Sequence, residues 1–265
     1  MRHQLSFACD GAALAGSLDE APGTTGLLIV SGGNEIRSGA HRGMAMLAAR
    51  IADAGHPVFR FDRRGIGDSE GVNGGFESSG PDIGAAVAAF RDAAPQLKRI
   101  VAFGNCDAAS ALLLHQPLAV EALIVANPWT YDSDGAEADD EPALPPAAAI
   151  RARYLARIKD PKTLFRLIRG EVDFRKFLRG LSALKTPAVP AAPDSLAARI
   201  DAAFAALATP ATILLATGDR TAQAFAENCP AALDRLPVER LASPSHSFAG
   251  DDGEWLAERI LAVLQ

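Results

Sequence analysis

The sequence predicts an α/β fold: a mostly parallel central sheet flanked by helices on both faces, with an inserted helical cap. Three observations predict it. Short, apolar, β-branched runs alternate with segments of helical spacing between residues 26 and 125. The strand rhythm stops from Pro128 to about Thr209, where only helix-like segments follow one another, and it resumes at Ala211. A chain of 265 residues is long enough for one large domain with a modest insertion. The expected division is a first core part over 1–128, a cap over 129–209 and a second core part over 210–265.

Gln4 to Cys9 and Ala12 to Leu18 flank Asp10-Gly11, a pair that favours positive φ, so they read as a β-hairpin at an antiparallel edge. Gly26 to Val30 reads as a buried strand. A glycine-rich loop then leads to a helix carrying Met44, Met46, Leu47, Ala48 and Ile51 at helical spacing. Val58 to Phe61 is the next strand. Pro81 fits the first turn of a helix reaching Ala93, Arg99 to Phe103 is a strand, Ala108 to Leu114 a helix, and Ala122 to Val125 a strand. Helices are expected over 147–158, 161–168, 172–184 and 194–207. Ala211 to Thr217 is again a strand, followed by Thr221 to Glu227, a short strand at Val238 to Leu241 and a terminal helix from about Asp252 to Leu264. Apolar strands joined this way imply right-handed crossovers, and ligands gather at the carboxyl ends of such strands.

Hydrophobic residues at 49% and charged residues at 22% place the chain in the ordinary globular class, with no apolar run long enough to span a bilayer. The first residues, Met1 to Phe7, lack the apolar stretch and cleavage site of a signal peptide, so a cytoplasmic protein is expected. Three cysteines, Cys9, Cys106 and Cys229, are too scattered for a disulfide framework or a zinc site. No metal or organic cofactor is implied. A net charge of −6 argues against nucleic-acid binding but averages two opposed segments. Residues 132–141 hold six acids and no base, whereas 151–185 hold eleven Lys/Arg against three acids.

Chemistry concentrates at Gly104-Asn105-Cys106-Asp107-Ala108-Ala109. A strand running into a helix through small residues forces its central side chain, here Cys106, into an exposed and strained position suited to attack on a carbonyl. A cysteine nucleophile needs a base and a group to orient that base. His246, in the loop after the last strand, supplies the base, and Asp219, after the strand ending at Thr217, supplies the orienting acid. Asp219 also has an ordinary alternative role as the N-cap of the following helix. The oxyanion requires amide donors: the N–H of Asp107, and that of Gly33 or Asn34 in the loop Ser31-Gly32-Gly33-Asn34. The Asp107 carboxylate opposes thiolate formation unless Arg37, His41 or Arg63 compensates. Cys9 and Cys229 read as structural.

With these residues the chain resembles an α/β-hydrolase, whose catalytic groups follow the order found here: Cys106, Asp219, His246. More narrowly it resembles the exosortase A system-associated hydrolase family. That likeness rests on Ser31-Gly32-Gly33-Asn34-Glu35-Ile36-Arg37-Ser38-Gly39-Ala40-His41-Arg42, the stretch from Phe59 to Ser69, Cys106-Asp107-Ala108-Ala109-Ser110, Asn127-Pro128-Trp129 and Arg169-Gly170-Glu171-Val172-Asp173. The Asp-x-Arg-Gly-x-Gly-x-Ser stretch at 62–69 supports the superfamily alone. The cysteine elbow and the Gly-Gly-Asn-Glu-Ile-Arg loop carry the narrower likeness. The resemblance implies a bacterial protein, encoded near machinery for exopolysaccharide synthesis and the sorting of proteins with a C-terminal anchoring signal, and implies no particular substrate. Asn34, where relatives are expected to carry proline, and a longer acidic 132–141 segment are departures that bear on the oxyanion loop and the cap entry.

The activity expected is hydrolysis of an ester, thioester or lactone through an acyl-thioenzyme on Cys106, on a small-molecule or carrier-bound acyl substrate. One alternative is acyl transfer with the same three residues. Another is a non-catalytic scaffold whose basic cap docks on an anionic membrane or polymer. Between them stands a hydrolase whose cap cations attract an anionic thioester such as an acyl-coenzyme A.

Overall fold

The computed structural model describes residues 1–132, 192 and 194–265. The expected helices at 147–158, 161–168 and 172–184, the acidic segment after Asp132 and the basic segment lie outside the described residues. The rest forms eight strands, β1 (Arg2–Cys9), β2 (Ala12–Asp19), β3 (Thr25–Val30), β4 (Val58–Phe61), β5 (Arg99–Asn105), β6 (Ala122–Ala126), β7 (Ala211–Ala216) and β8 (Val238–Leu241). Seven α-helices are described: α1 (Gly43–Asp53), α2 (Gly80–Ala93), α3 (Asp107–Leu114), α4 (Leu196–Ala206), α5 (Arg220–Asn228), α6 (Pro230–Arg235) and α7 (Asp252–Leu264).

The strands join one sheet in the order β1-β2-β4-β3-β5-β6-β7-β8. β1 and β2 form the antiparallel edge expected from Asp10-Gly11, with Cys9 opposite Ala12 and both turn residues at positive φ. β2 meets β4 antiparallel, and β3 to β8 run parallel. β3 connects outward to β4 and the chain then returns to β5 on the other side of β3. The order of strands therefore reverses between β3 and β5, which opens a crevice at their carboxyl ends.

The helices divide into two layers, each helix burying its apolar stripe on one of the two faces of the pleated sheet. One face is covered by α2 to α6, around Phe59, Phe61, Phe90, Leu112, Phe204 and Phe225. The rings of Phe59 and Phe90 stack at 5.6 Å between centroids. The other face is covered by α1 and α7, around Ile29, Leu47, Ile51, Phe103, Leu256 and Ile260. α4, at the end of the expected 129–209 insertion, packs against α3, α5 and α6 and buries Leu196, Ile200 and Phe204 in the same core.

Two differences from the sequence reading have simple physical causes. β5 continues two residues past Phe103, because Gly104 and Asn105 still pair with β6 at Val125 and Ala126. α6 was not expected; Pro230 starts it, and six residues are too few to show a helical period. Among the described residues no helix is long and apolar enough to cross a membrane.

Candidate active site

Cys106 lies between β5 and α3 with φ 62° and ψ −128°, a conformation that costs a residue with a Cβ. Backbone bonds on both sides hold it there. Its N–H donates to Ala126 O at 3.0 Å, and its carbonyl accepts from Ala109 N at 3.1 Å and Trp129 N at 3.2 Å. Gly104 permits the sharp approach of helix to strand: a Cβ there would meet Ala108 C at 2.7 Å and Ala109 N at 2.8 Å. The result is a partly exposed thiol at the N-terminus of α3.

His246 and Asp219 converge on that thiol from the C-terminal part of the chain. His246 follows β8 and Asp219 follows β7, and adjacency of these parallel strands brings their carboxyl ends together. The imidazole Nδ1 lies 3.0 Å from Asp219 Oδ2. The ring lines the same cavity as Cys106, whose side chain acts on it electrostatically. The His246 pKa is pushed up from 6.5 to about 10, the bond to Asp219 being the largest cause and the neighbouring Cys106 side chain the next, against the opposing effect of burial. Asp219 is also the N-cap of α5, accepting from Ala222 N at 3.0 Å through the same Oδ2. The two roles weighed for Asp219 therefore coexist.

A family comparison adds to this geometry. Residues 27–259 match the alpha/beta hydrolase family. The chain belongs to the α/β-hydrolase family. Its fold is similar to that of the Pyrococcus furiosus esterase Pf2001, with a TM-score of 0.63 at 17% identity over 100% of this chain and 90% of that one. The α/β-hydrolase GrgF from Penicillium sp. sh18 superposes with a TM-score of 0.64 at 18% identity, covering 100% and 98% of the two chains. A thioesterase domain from the curacin biosynthetic pathway gives 0.61 at 14% identity, covering 98% and 99%. No curated protein matches the sequence.

In this α/β-hydrolase the glycine loop after β3 reaches the Cys106 elbow, but its contacts differ from a free pair of oxyanion donors. The Gly33 N–H donates to Asp107 Oδ1 at 2.7 Å. The Gly33 carbonyl accepts from Arg63 Nη2, which lies 3.7 Å from Asp107 Oδ2. A carboxylate thus occupies the amide that the sequence reading offered to the substrate. Asn34 is exposed, and its Oδ1 accepts from Asn73 Nδ2 at 2.9 Å. Of the three cations considered as counter-charges to Asp107, Arg63 is the one beside it; it is 4% exposed. Arg37 pairs instead with Asp62 and Asp68.

The Asp-x-Arg-Gly-x-Gly-x-Ser stretch has an architectural task in this hydrolase. Fully buried Asp62 binds the Arg37 side chain and the Asp68 N–H, tying the loop after β4 to the loop after β3. Gly67, at φ 55°, leaves room for Asp62 Oδ2, which a Cβ would meet at 2.3 Å. Ser69 Oγ donates to Asp62 O and accepts from Ala15 N.

Sequence reasoning gave no role to two amides that position His246. Asn105 Nδ2 donates to the His246 carbonyl at 3.0 Å. Fully buried Asn127 donates to the same carbonyl at 3.2 Å and to Asn105 Oδ1 at 3.1 Å, while accepting from Ala216 N at 2.9 Å. Asn127 sits just past a buried strand at φ 40°, in the left-handed region. A cavity of about 150 Å³ opens at Cys106 and His246, lined also by Ser31, Gly32, Gly33 and Met44.

Proposed function

We propose that this α/β-hydrolase cleaves ester, thioester or lactone carbonyls through an acyl-thioenzyme on Cys106. The observation that carries the reading is the meeting, at one cavity, of the strained Cys106 elbow with His246, whose Nδ1 is hydrogen-bonded to Asp219. A charged imidazolium beside Sγ is the partner a thiolate requires. Sγ attacks the carbonyl carbon, and the tetrahedral oxyanion is met by the Asp107 N–H at the start of α3. The Gly33 N–H becomes the second donor once the Asp107 carboxylate turns from it toward Arg63. His246 then protonates the leaving alkoxide or thiolate, and afterwards takes a proton from the water that hydrolyses the acyl-cysteine. Asp219 holds the imidazole in the productive orientation throughout.

The esterases and the thioesterase among the structural neighbours support this reaction class through their shared fold alone. The likeness to exosortase-associated hydrolases adds a bacterial setting near exopolysaccharide and protein-sorting machinery, and small-molecule or carrier-bound acyl groups as substrates. The test is intact-mass detection of acyl adducts across p-nitrophenyl esters, thioesters and lactones. An adduct mapped to Cys106 and absent from Cys106→Ala is expected. Undiminished turnover by Cys106→Ala would sink the proposal. Adding an amine or thiol acceptor to the same assay separates hydrolysis from acyl transfer.

A further inference from the structure

We propose that the groove between α1 and the loop after His246 holds an unbranched aliphatic chain of the substrate, so that medium-chain acyl or alkyl compounds are preferred. This rests on the catalytic reading of Cys106. The groove has a volume of about 390 Å³. It shares Ala40, Gly43, Met44 and Ser247 with the cavity at Cys106 and His246, so the two adjoin along these residues. Its walls are apolar where they are buried, at Met44, Leu47, Phe248 and Leu256. Such walls suit a hydrocarbon chain and offer little to a sugar or peptide, whose polar groups would lose water without gaining partners.

Two glycines give the groove its room. Gly43 opens α1 with φ −55° and ψ −47°, and Gly253 lies in α7 without a positive φ. Any residue adopts such a backbone, and glycine in a helix is less favourable than alanine. A Cβ at Gly43 would meet nothing within 4 Å, and one at Gly253 would meet only Phe248 O, at 3.4 Å. Both residues line the groove, so what their lack of a side chain preserves is open space in it. At the far end Arg50 and Glu254 form an ion pair at 3.6 Å. From Gly43 to Arg50 the helical rise gives about 10 Å of groove, the length of roughly an eight-carbon chain.

The chain in the groove can belong to the acyl group or to the leaving group, and the experiment separates the two. Alkylation of Cys106 by N-ethyl, N-octyl and N-dodecyl iodoacetamide is followed by intact mass and peptide mapping, each rate taken relative to glutathione. Each methylene placed in the groove should raise the rate by about twofold to fourfold, with the gain ending near eight carbons. In Gly253→Leu and Gly43→Leu the octyl-to-ethyl ratio should fall towards one. Equal rates for ethyl and octyl reagents in the unmodified chain, or a ratio that survives both substitutions, would overturn the proposal. A p-nitrophenyl acyl series and an alkyl acetate series then assign the chain to one side of the scissile bond. Failure of the catalytic reading registers separately, as turnover by Cys106→Ala, because alkylation requires only an accessible thiol.

Discussion

Asp107 follows Cys106 in sequence, yet its carboxylate reaches across to the glycine loop and accepts the Gly33 N–H at 2.7 Å. Catalysis by the proposed route must break a charge-assisted hydrogen bond worth about 1.5–3 kcal/mol before that amide can serve an oxyanion. Asp107→Ala should therefore accelerate acylation by about tenfold or more, measured as the single-turnover rate with a p-nitrophenyl ester. A fall in that rate would give the carboxylate a productive role instead. The second residue-scale prediction concerns His246. Its folded value is raised from 6.5 to about 10, so its interactions stabilise the fold fully below pH 6.5 and that contribution is lost as pH rises through about 10. The Tm advantage of the unmodified chain over His246→Gln should shrink across that window. NMR titration should place the His246 midpoint near 10, and Asp219→Asn should lower it, because the bond to Asp219 is its largest cause.

The elements were legible wherever local chemistry alone dictates them. Val58 to Phe61 and Ala122 to Val125 are apolar enough to be recognised as buried strands, and Asp10-Gly11 carries its own turn. Contacts between distant elements had no such signal. Asn127 meets the His246 carbonyl from 119 positions away, and Gly33 meets Asp107 from 74. Nothing in the period of β6 announces that the residue after it will hold the loop after β8. Asn127→Ala would leave the Ala216 N–H buried and unpaired and would remove a donor from the His246 carbonyl. A loss of about 2–3 kcal/mol in denaturant unfolding is expected. Movement of the His246 loop should also lower kcat/KM by at least about tenfold. Unchanged kinetics in that variant would show that Asn105 suffices to position the loop.

At the scale of the molecule, the reversal of strand order between β3 and β5 gathers loops from both halves of the sequence at one edge of the sheet. That is why Cys, Asp and His were recognisable as a set: their order along the chain and their places after successive strands imply convergence. The same architecture sorts the three thiols. Burial, with help from Asp82, pushes Cys9 up to about 11, and burial pushes Cys229 up to about 12. Cys106 alone among them is partly exposed. Iodoacetamide at neutral pH should add one label to the native chain, at Cys106, and three after unfolding in guanidinium. Native labelling of Cys9 or Cys229 at a comparable rate would contradict their burial in the core beneath α2 to α6.

One oxygen, Asp219 Oδ2, both caps α5 and binds His246, and this narrows what position 219 can become. Serine, threonine or asparagine would preserve a cap but bring no negative charge to the imidazolium. Glutamate would keep the charge, but its extra methylene displaces the carboxylate from the helix end. Alanine would lose both. Every single substitution thus forfeits at least one role, so this position is closed to the stepwise drift that ordinary surface loops tolerate. In any lineage that abandons the chemistry, the aspartate will tend to outlast its histidine partner, because α5 continues to need its cap.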